Sequence, residues 1–224
     1  MESIKNAVCD DTCAVMIELV QGEGGVNPLD KEFVTELAAY CKENDILLIA
    51  DEVQTGVGRT GKLFCYEHFG IKPDIVTTAK ALGGGLPLSA CMCVEELQDV
   101  MTYGSNGTTF GGNPIACAGA IEIVNRISDE KFLEEVCEKG DYIKERLLAM
   151  DGVKEVRGMG MMIGVVLEKN NAKEVLNKCA ENGLLVLTAK NLIRLLPPLN
   201  IDYFDIDEGL NILEKVIKST LNNK

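Results

Sequence analysis

Two apolar runs in this sequence end in side chains of opposite charge. The run ILLIAD ends at Asp51, and the run DIVTTAK ends at Lys80. Continuous apolar runs of this length are typical of strands that are covered on both faces of a parallel sheet. Because open parallel sheets bind ligands beyond the carboxyl ends of their strands, we expect both side chains at the ligand-binding edge of one sheet.

A carboxylate and an amine at such an edge suit pyridoxal phosphate. A lysine forms a Schiff base with this cofactor, and an acidic residue pairs with its pyridine nitrogen. A structural salt bridge and two unrelated strand ends in solvent are the alternatives. The local sequence favours the cofactor, because Asp51 opens the long glycine-rich loop DEVQTGVGRTG. The glycines at 83–85, beside Lys80, would also leave room for a flat ligand.

The composition disfavours several other classes of function. The 224 residues carry a net charge of −13 and show no basic stripe, whereas nucleic-acid binding needs clustered Lys and Arg. The amino terminus has no signal-peptide pattern, and no apolar run approaches the roughly 18 residues of a membrane helix. We therefore expect a cytoplasmic protein that binds neither nucleic acid nor membrane.

The nine cysteines do not have the spacing of a metal site. No CxxC pair is present, and His68 is the single histidine, so we expect no bound metal. Most of the cysteines stand in apolar contexts such as AAYC and PIACAGA. We therefore expect small, buried and reduced side chains.

The order of apolar patterns predicts a mixed α/β fold in two parts. In residues 1–123, the strand-like runs CAVMIEL, ILLIAD and DIVTTAK alternate with a helical pattern that begins at Asp30, which indicates a mainly parallel sheet. Residues 124–224 mix helical patterns with short strand-like runs, such as those around RGMG and in LIRLLPPL. This second part indicates a small α+β domain.

Helix starts and helical periodicity predict the remaining elements. Asn113 is followed by proline, which predicts a capped helix start. Longer helical patterns cover residues 130–150 and 172–182. Asp205 and Glu208 form a D-x-x-E capping box that we expect to open the last helix.

Four motifs, in order along the chain, resemble the class III pyridoxal-phosphate aminotransferases: LLIADEVQTGVGRTG, PDIVTTAKALGGGLP, TTFGGNPIACA and VRGMGMMIGV. The stretches IELVQGEGGVNPLDKEF and NLIRLLPPLNI are similar to the acetylornithine and ornithine aminotransferase group. The resemblance implies a type I aminotransferase-like fold. Residues 1–123 would be the carboxyl-terminal part of the cofactor-binding large domain, and residues 124–224 the small carboxyl-terminal domain. It also implies a homodimer with shared active sites.

The resemblance implies roles for residues that would hold pyridoxal 5'-phosphate. Lys80 matches the lysine of the Schiff base, and Asp51 matches the partner of the pyridine nitrogen. Val53 matches the residue that packs on the ring, and Gln54 matches the one near the ring hydroxyl. Thr109 matches a threonine that reaches the cofactor phosphate from the neighbouring subunit.

Three further positions match substrate-binding residues. Arg157 in VRGMG matches the arginine that holds the substrate α-carboxylate, a task that suits a bidentate guanidinium. Glu23 in QGEGG matches a glutamate that helps to separate the two half-reactions, and Thr108 would face substrate or phosphate. Arg59 and Arg194 are interpreted as structural or peripheral.

The implied reaction transfers the terminal amine of N-acetylornithine, or of ornithine, to 2-oxoglutarate in arginine biosynthesis. Transamination of 4-aminobutyrate by another class III enzyme is one alternative, and a non-catalytic remnant is another. The resemblance begins in the middle of the family's sequence. Family members carry most of the phosphate cradle and a second substrate-binding arginine before that point. We therefore expect this chain to correspond to the second half of an aminotransferase.

Overall fold

The computed structural model describes residues 1–221, which divide into two compact units. The first unit consists of Met1–Leu19, Leu29–Val57 and Lys62–Glu130. The second unit consists of Val20–Pro28, Gly58–Gly61 and the described chain from Lys131 onward. The domain boundary that the sequence suggests between residues 123 and 124 stays a prediction.

Six α-helices and ten β-strands are present in residues 1–221, numbered here in chain order. The helices are α1 (Glu2–Ala7), α2 (Lys31–Glu43), α3 (Pro114–Ile127), α4 (Glu130–Leu148), α5 (Ala172–Glu181) and α6 (Tyr203–Leu221). The strands are β1 (Ala14–Ile17), β2 (Val20–Gln21), β3 (Asn27–Pro28), β4 (Leu47–Asp51), β5 (Ile75–Thr78), β6 (Ala90–Cys93), β7 (Val153–Met159), β8 (Met162–Leu167), β9 (Leu187–Ala189) and β10 (Leu192–Leu195). Across this described stretch, no helix has both the length and the apolarity needed to cross a membrane.

The first unit is built on a four-stranded sheet in the order β1-β4-β5-β6. Strands β1, β4 and β5 run parallel to one another, and β6 is antiparallel to β5. The two runs that end near Asp51 and Lys80 are therefore neighbouring parallel strands. The predicted mainly parallel sheet is confirmed.

Helix α2 supports β4 within the first unit. Its N-cap residue, Asp30, accepts a hydrogen bond from the N–H of Phe33 at 2.9 Å, as the sequence predicts. On the apolar side of the helix, Leu37 and Cys41 are buried and share a core with Leu48 of β4. This packing fixes the strand whose last residue is the candidate carboxylate.

The second unit contains an antiparallel sheet in the order β7-β8-β10-β9, together with helices α4, α5 and α6. Its buried core includes Leu147, Ile163, Val165, Val175, Ile193, Leu213 and Ile217. Arg157 lies inside β7 and is opposite Gly164 of β8. The two strands are joined by a turn of two residues, Gly160 and Met161. The predicted strands around RGMG are confirmed.

Two predicted helix starts have different outcomes. Asn113 caps α3, because its side chain accepts hydrogen bonds from two N–H groups of the first turn at 3.0 and 3.3 Å. The capping box predicted at Asp205 and Glu208 is wrong. Helix α6 begins at Tyr203, and Asp202 Oδ1 accepts from the N–H of Asp205 at 2.8 Å. The same capping chemistry is therefore supplied three residues earlier than expected.

The expectation of buried cysteines is correct for only three of the nine, all of which are free thiols. Cysteines 41, 65 and 179 are buried, and burial raises the pKa of the Cys179 thiol to about 11. Four others are exposed: Cys9, Cys13, Cys91 and Cys93. The last two lie on β6, at the edge of the sheet, where apolar sequence neighbours do not cover them.

Candidate active site

The carboxyl ends of β4 and β5 lie side by side, because the strands are parallel and Asp51 is in register with Thr77. Asp51 Oδ1 accepts a hydrogen bond from the N–H of Val53 at 3.0 Å and another from Thr77 Oγ1 at 3.3 Å. The Asp51 side chain is half-buried. No ion pair described for residues 1–221 includes this carboxylate. Both donors described for this carboxylate are neutral groups.

Lys80 follows Thr77 by three residues and opens a 3₁₀ turn, Lys80–Gly83. Its backbone φ is +46°, in the left-handed region that non-glycine residues seldom adopt. Such backbone strain concentrates at functional sites, where the surrounding structure holds it. The side chain is exposed. Lys80, which is predicted to bind the cofactor, therefore lies just beyond the end of β5, at the same edge of the sheet as Asp51.

The glycines after Lys80 have a conformational role of their own. Gly84 has a φ of +60°, and a Cβ at this position would lie 2.9 Å from Ile123 Cγ1 of α3. Gly85 has a φ of +106° and open space where a Cβ would be. The turn and the approach of α3 thus require glycine at Gly84. Clearance for a flat ligand stays a prediction.

The loop after Asp51 is anchored by a residue that sequence reasoning missed. Glu52 is 1% exposed, and its carboxylate accepts from the N–H of Tyr66 at 2.9 Å and from the hydroxyl of Thr55. Burial raises the pKa of Glu52 above its usual range. The signal was present in the sequence, since a second acidic residue directly follows the apolar run. Val53 and Gln54, the predicted ring contacts, are half-buried in this loop.

Thr108 and Thr109 lie in an exposed stretch before α3. The hydroxyl of Thr108 accepts a hydrogen bond from the N–H of Gly111 at 3.2 Å. Exposed apolar side chains flank both threonines, with Tyr103 fully exposed and Phe110 80% exposed. The predicted contact of Thr109 with a cofactor phosphate stays a prediction.

In the second unit, every donor nitrogen of Arg157 is engaged. Its Nε and Nη2 donate to the two carboxylate oxygens of Glu155 at 2.7 and 2.9 Å, and Nη1 donates to Asn27 Oδ1 at 2.8 Å. The pair with Arg157 lowers the pKa of Glu155, and the Glu155 carboxylate raises the pKa of Arg157. The Arg157 guanidinium, which was predicted to bind a substrate carboxylate, therefore binds the carboxylate of Glu155 in the same strand.

Glu23, a predicted substrate contact, has an arginine partner that was not predicted as a site residue. Arg194 of β10 donates through Nη1 to Glu23 Oε1 at 2.6 Å. The Arg194 side chain is 9% exposed, whereas that of Glu23 is 70% exposed. A basic residue inside the apolar run LIRLLPPL was the available signal. Arg194 was interpreted as structural or peripheral, and its pairing with Glu23 was not predicted.

The groups of the first unit fit pyridoxal phosphate by their chemistry. The cofactor needs a carboxylate for its ring nitrogen and an amine for its aldehyde. Asp51 supplies the first from the end of β4, and Lys80 supplies the second from just beyond β5. Neither is consumed by an ion pair with another described residue. This donor set is the one expected at the edge of a parallel sheet.

Sequence comparison identifies relatives of the chain. The acetylornithine aminotransferase of Caldanaerobacter subterraneus is 45% identical over 222 residues, which are 97% of this chain and 56% of that protein. The chain thus spans little more than half the length of this relative.

Structural comparison finds solved structures of acetylornithine and ornithine aminotransferases. The crystal structure of N-acetylornithine aminotransferase from Stenotrophomonas maltophilia has a TM-score of 0.90 at 34% identity, and the match covers 98% of this chain and 60% of that one. The ornithine δ-aminotransferase of Plasmodium falciparum has a TM-score of 0.89 at 36% identity, over 100% of this chain and 60% of that one. The predicted type I aminotransferase-like fold is confirmed.

A protein-family model also matches the chain. The model described as Aminotransferase class-III matches residues 1–217. This span includes both four-stranded sheets, the pair of Asp51 and Lys80, and the two paired arginines, Arg157 and Arg194. The chain belongs to the class III aminotransferases.

Proposed function

We propose that this chain carries out pyridoxal-phosphate-dependent transamination, with the terminal amine of N-acetylornithine or ornithine as donor and 2-oxoglutarate as acceptor. The observation that carries the proposal is the pair formed by Asp51 and Lys80 at the ends of adjacent parallel strands. Relatives named for acetylornithine and ornithine support the choice of donor. The donor places the reaction in arginine biosynthesis, and a cytoplasmic location stays a prediction of the sequence.

In this proposal, Lys80 Nζ would carry a proton from the amine-bearing carbon of the donor to the carbon that bore the cofactor's aldehyde, and in the opposite direction in the second half-reaction. When bound, pyridoxal phosphate supplies the sink for the electrons that the broken C–H bond leaves behind. Asp51 keeps the ring nitrogen protonated by offering it a negative charge. Val53 and Gln54 would hold the ring, and Thr109 the phosphate.

We propose the pair of Arg194 and Glu23 as the site for a substrate carboxylate. The guanidinium of Arg194 is already buried, so the fold has removed its water. Its partner Glu23 is mostly exposed and can swing into solvent when a substrate carboxylate replaces it. Arg157, which the resemblance favours for this task, would first have to release Glu155 and Asn27. Thr108 stays a proposed contact of substrate or phosphate.

A second copy of the chain is the proposed partner. The stretch around Thr109 exposes apolar side chains, including Met101, Tyr103, Phe110 and Ile115. Burial of such side chains against another copy would remove them from water and bring Thr109 to the neighbouring site. Light scattering of the wild type and of Phe110→Glu tests this, since the charged substitution is expected to lower the mass to that of one chain.

The function is tested by cofactor binding and transamination together. We would titrate the 224-residue chain with pyridoxal phosphate and follow the visible absorbance of the bound cofactor, alone and with the amino-terminal half of the Caldanaerobacter relative. Binding that Lys80→Ala abolishes is the expected result. Binding by the chain alone would contradict the remnant alternative. Absence of binding in both settings would contradict the proposed function.

The substrate is tested by competition among three amines. N-acetylornithine, ornithine and 4-aminobutyrate are each offered with 2-oxoglutarate, and glutamate formation is measured. We expect the first two to be used with the higher kcat/KM. A preference for 4-aminobutyrate would keep the reaction class and reject the assigned donor.

A further inference from the structure

Thr77 contacts Asp51 from the neighbouring strand. The two residues are in register in the parallel pair of β4 and β5, so their side chains leave the sheet on the same face. Thr77 Oγ1 donates to Asp51 Oδ1 at 3.3 Å, and the N–H of Val53 donates to the same oxygen at 3.0 Å. Both hydrogen bonds described for this carboxylate in residues 1–221 therefore fall on one oxygen.

The two donors come from different elements. The N–H of Val53 belongs to the loop that directly follows Asp51, whereas Thr77 belongs to the next strand. A carboxylate held by one donor can still rotate about its Cβ–Cγ bond. A second donor from another direction limits that rotation and leaves Oδ2 as the oxygen that can accept from a ligand.

We propose that Thr77 is a positioning residue, which acts through Asp51 to present Oδ2 to the pyridine nitrogen of pyridoxal phosphate. The inference rests on the proposed function. A hydroxyl suits this role because it is neutral. It orients the carboxylate and leaves the negative charge that the ring nitrogen requires. A lysine or arginine partner would instead neutralise that charge.

The chain offers a matched control in the adjacent residue. Thr78 is 2% exposed, and its Oγ1 has no hydrogen-bond partner among residues 1–221. Because successive strand residues point to opposite faces, its hydroxyl lies on the other face of β5 from that of Thr77. Thr78→Val therefore makes the same chemical change in the same strand without touching Asp51.

The contact is first tested without cofactor, by a double-mutant cycle on the 224-residue chain. Urea unfolding is measured for the wild type, Thr77→Val, Asp51→Ala and the double variant. We expect Thr77 and Asp51 to be coupled by about 3- to 10-fold in the unfolding equilibrium constant. The cycle of Thr78→Val with Asp51→Ala is expected to show no coupling. If Thr77→Val does not fold, Thr77→Ala removes the same hydroxyl from a smaller side chain.

The direction of the effect is then tested with two ligands: pyridoxal phosphate and an analogue in which carbon replaces the ring nitrogen. We expect Thr77→Val to weaken binding of pyridoxal phosphate about 5-fold and to leave the analogue unchanged, because the analogue has no nitrogen for Asp51 to hold. Thr77→Ser keeps the hydroxyl and is expected to restore the affinity. Thr78→Val should bind both ligands as the wild type does.

The outcomes separate this inference from the proposed function. No coupling in the urea cycle would overturn the positioning role, whatever the cofactor does. Coupling with equal losses for both ligands would also overturn it, since the effect would not pass through the ring nitrogen. A wild type that binds neither ligand, even with the amino-terminal half of the relative, would instead contradict the proposed function and with it the target of Asp51.

Discussion

Charged groups are held differently in the two units. In the first unit, Asp51 and Lys80 stand at adjacent strand ends, and no ion pair described for residues 1–221 includes either. In the second unit, Arg157 and Arg194 are each paired with a glutamate. The first arrangement leaves charge available, and the second satisfies it internally.

The difference matches what each region would bind. A resident cofactor needs groups that are oriented and still charged, which neutral donors such as a hydroxyl and an N–H provide for Asp51. A substrate carboxylate, in contrast, binds and dissociates in every turnover. A buried guanidinium without a partner would be costly between turnovers, and an internal glutamate stabilises it until substrate replaces that glutamate. The four predictions below test this contrast, from the largest expected effect to the smallest.

The available amine of the first unit gives the largest prediction. Lys80→Ala is expected to slow transamination by about 10⁴-fold, because no other group would move the substrate proton. Glutamate formation from N-acetylornithine and 2-oxoglutarate measures the loss. Lys80→Arg keeps the positive charge and is expected to be equally slow, since arginine does not give up its proton. A small added amine should restore part of the rate to Lys80→Ala alone. Equal activity of Lys80→Ala and the wild type would sink the assignment.

The paired arginines of the second unit can be ranked against each other. We expect Arg194→Met to lower kcat/KM for 2-oxoglutarate by about 100-fold, because a charge-assisted bidentate contact is lost. Arg157→Met, the matched change, is expected to cost less than about 10-fold, because Glu155 and Asn27 already occupy its donors. Steady-state kinetics with varied 2-oxoglutarate measures both. The reverse order would return the substrate carboxylate to Arg157.

Much of the first unit could be predicted from sequence because its strands are local, continuous apolar runs. The runs ILLIAD and DIVTTAK form the neighbouring parallel strands β4 and β5. Asp51 and Lys80, at the ends of these runs, therefore lie at the same edge of the sheet. The cap of α6 could not be placed in the same way, since Asp202 and Asp205 offer the same chemistry three residues apart. Local pattern alone does not choose between two such caps.

The partners of the candidate residues were harder to predict than the residues themselves. Glu23 and Arg194 are 171 positions apart, and no local pattern links residues at that distance. In the sequence, nothing distinguishes Thr77 from other strand residues, because threonine is common in strands. Its contact with Asp51 depends on the register of two strands. Pairing of this kind is fixed by the folded sheet, so the sequence alone could not provide it.

Glu52 extends the contrast to a buried carboxyl that is held by neutral donors. Its pKa is raised by burial, so the folded chain binds its proton more tightly than the unfolded chain. The stability that Glu52 contributes is therefore greatest below the unfolded pKa of about 4.3, and it is lost as the pH rises through the raised folded pKa. Glu52→Gln stays neutral and is expected to lose this fall.

The measurement for Glu52 is the free energy of urea unfolding across that pH range. Glu52→Ala is expected to cost about 2–4 kcal/mol at low pH and less as the pH rises, because the N–H of Tyr66 and the buried hydroxyl of Thr55 lose their acceptor. A Glu52→Gln profile parallel to that of the wild type would show that another group carries the dependence. Neutral donors would then not be the feature that distinguishes the first unit.

The helix caps give the smallest effect and sharpen the contrast further, since Asn113 caps α3 with a neutral amide and Asp202 caps α6 with a carboxylate. Replacing either by alanine is expected to lower the free energy of unfolding by about 1 kcal/mol.

Asp202→Asn keeps an acceptor oxygen and loses only the attraction of charge to the helix dipole. It is expected to cost about 0.3–1 kcal/mol at low salt and less at high salt. Asn113→Asp is the matched opposite and should stabilise α3 by a similar, salt-sensitive amount. Urea unfolding at two salt concentrations measures all four variants, and a salt-independent cost for Asp202→Asn would contradict a role for its charge.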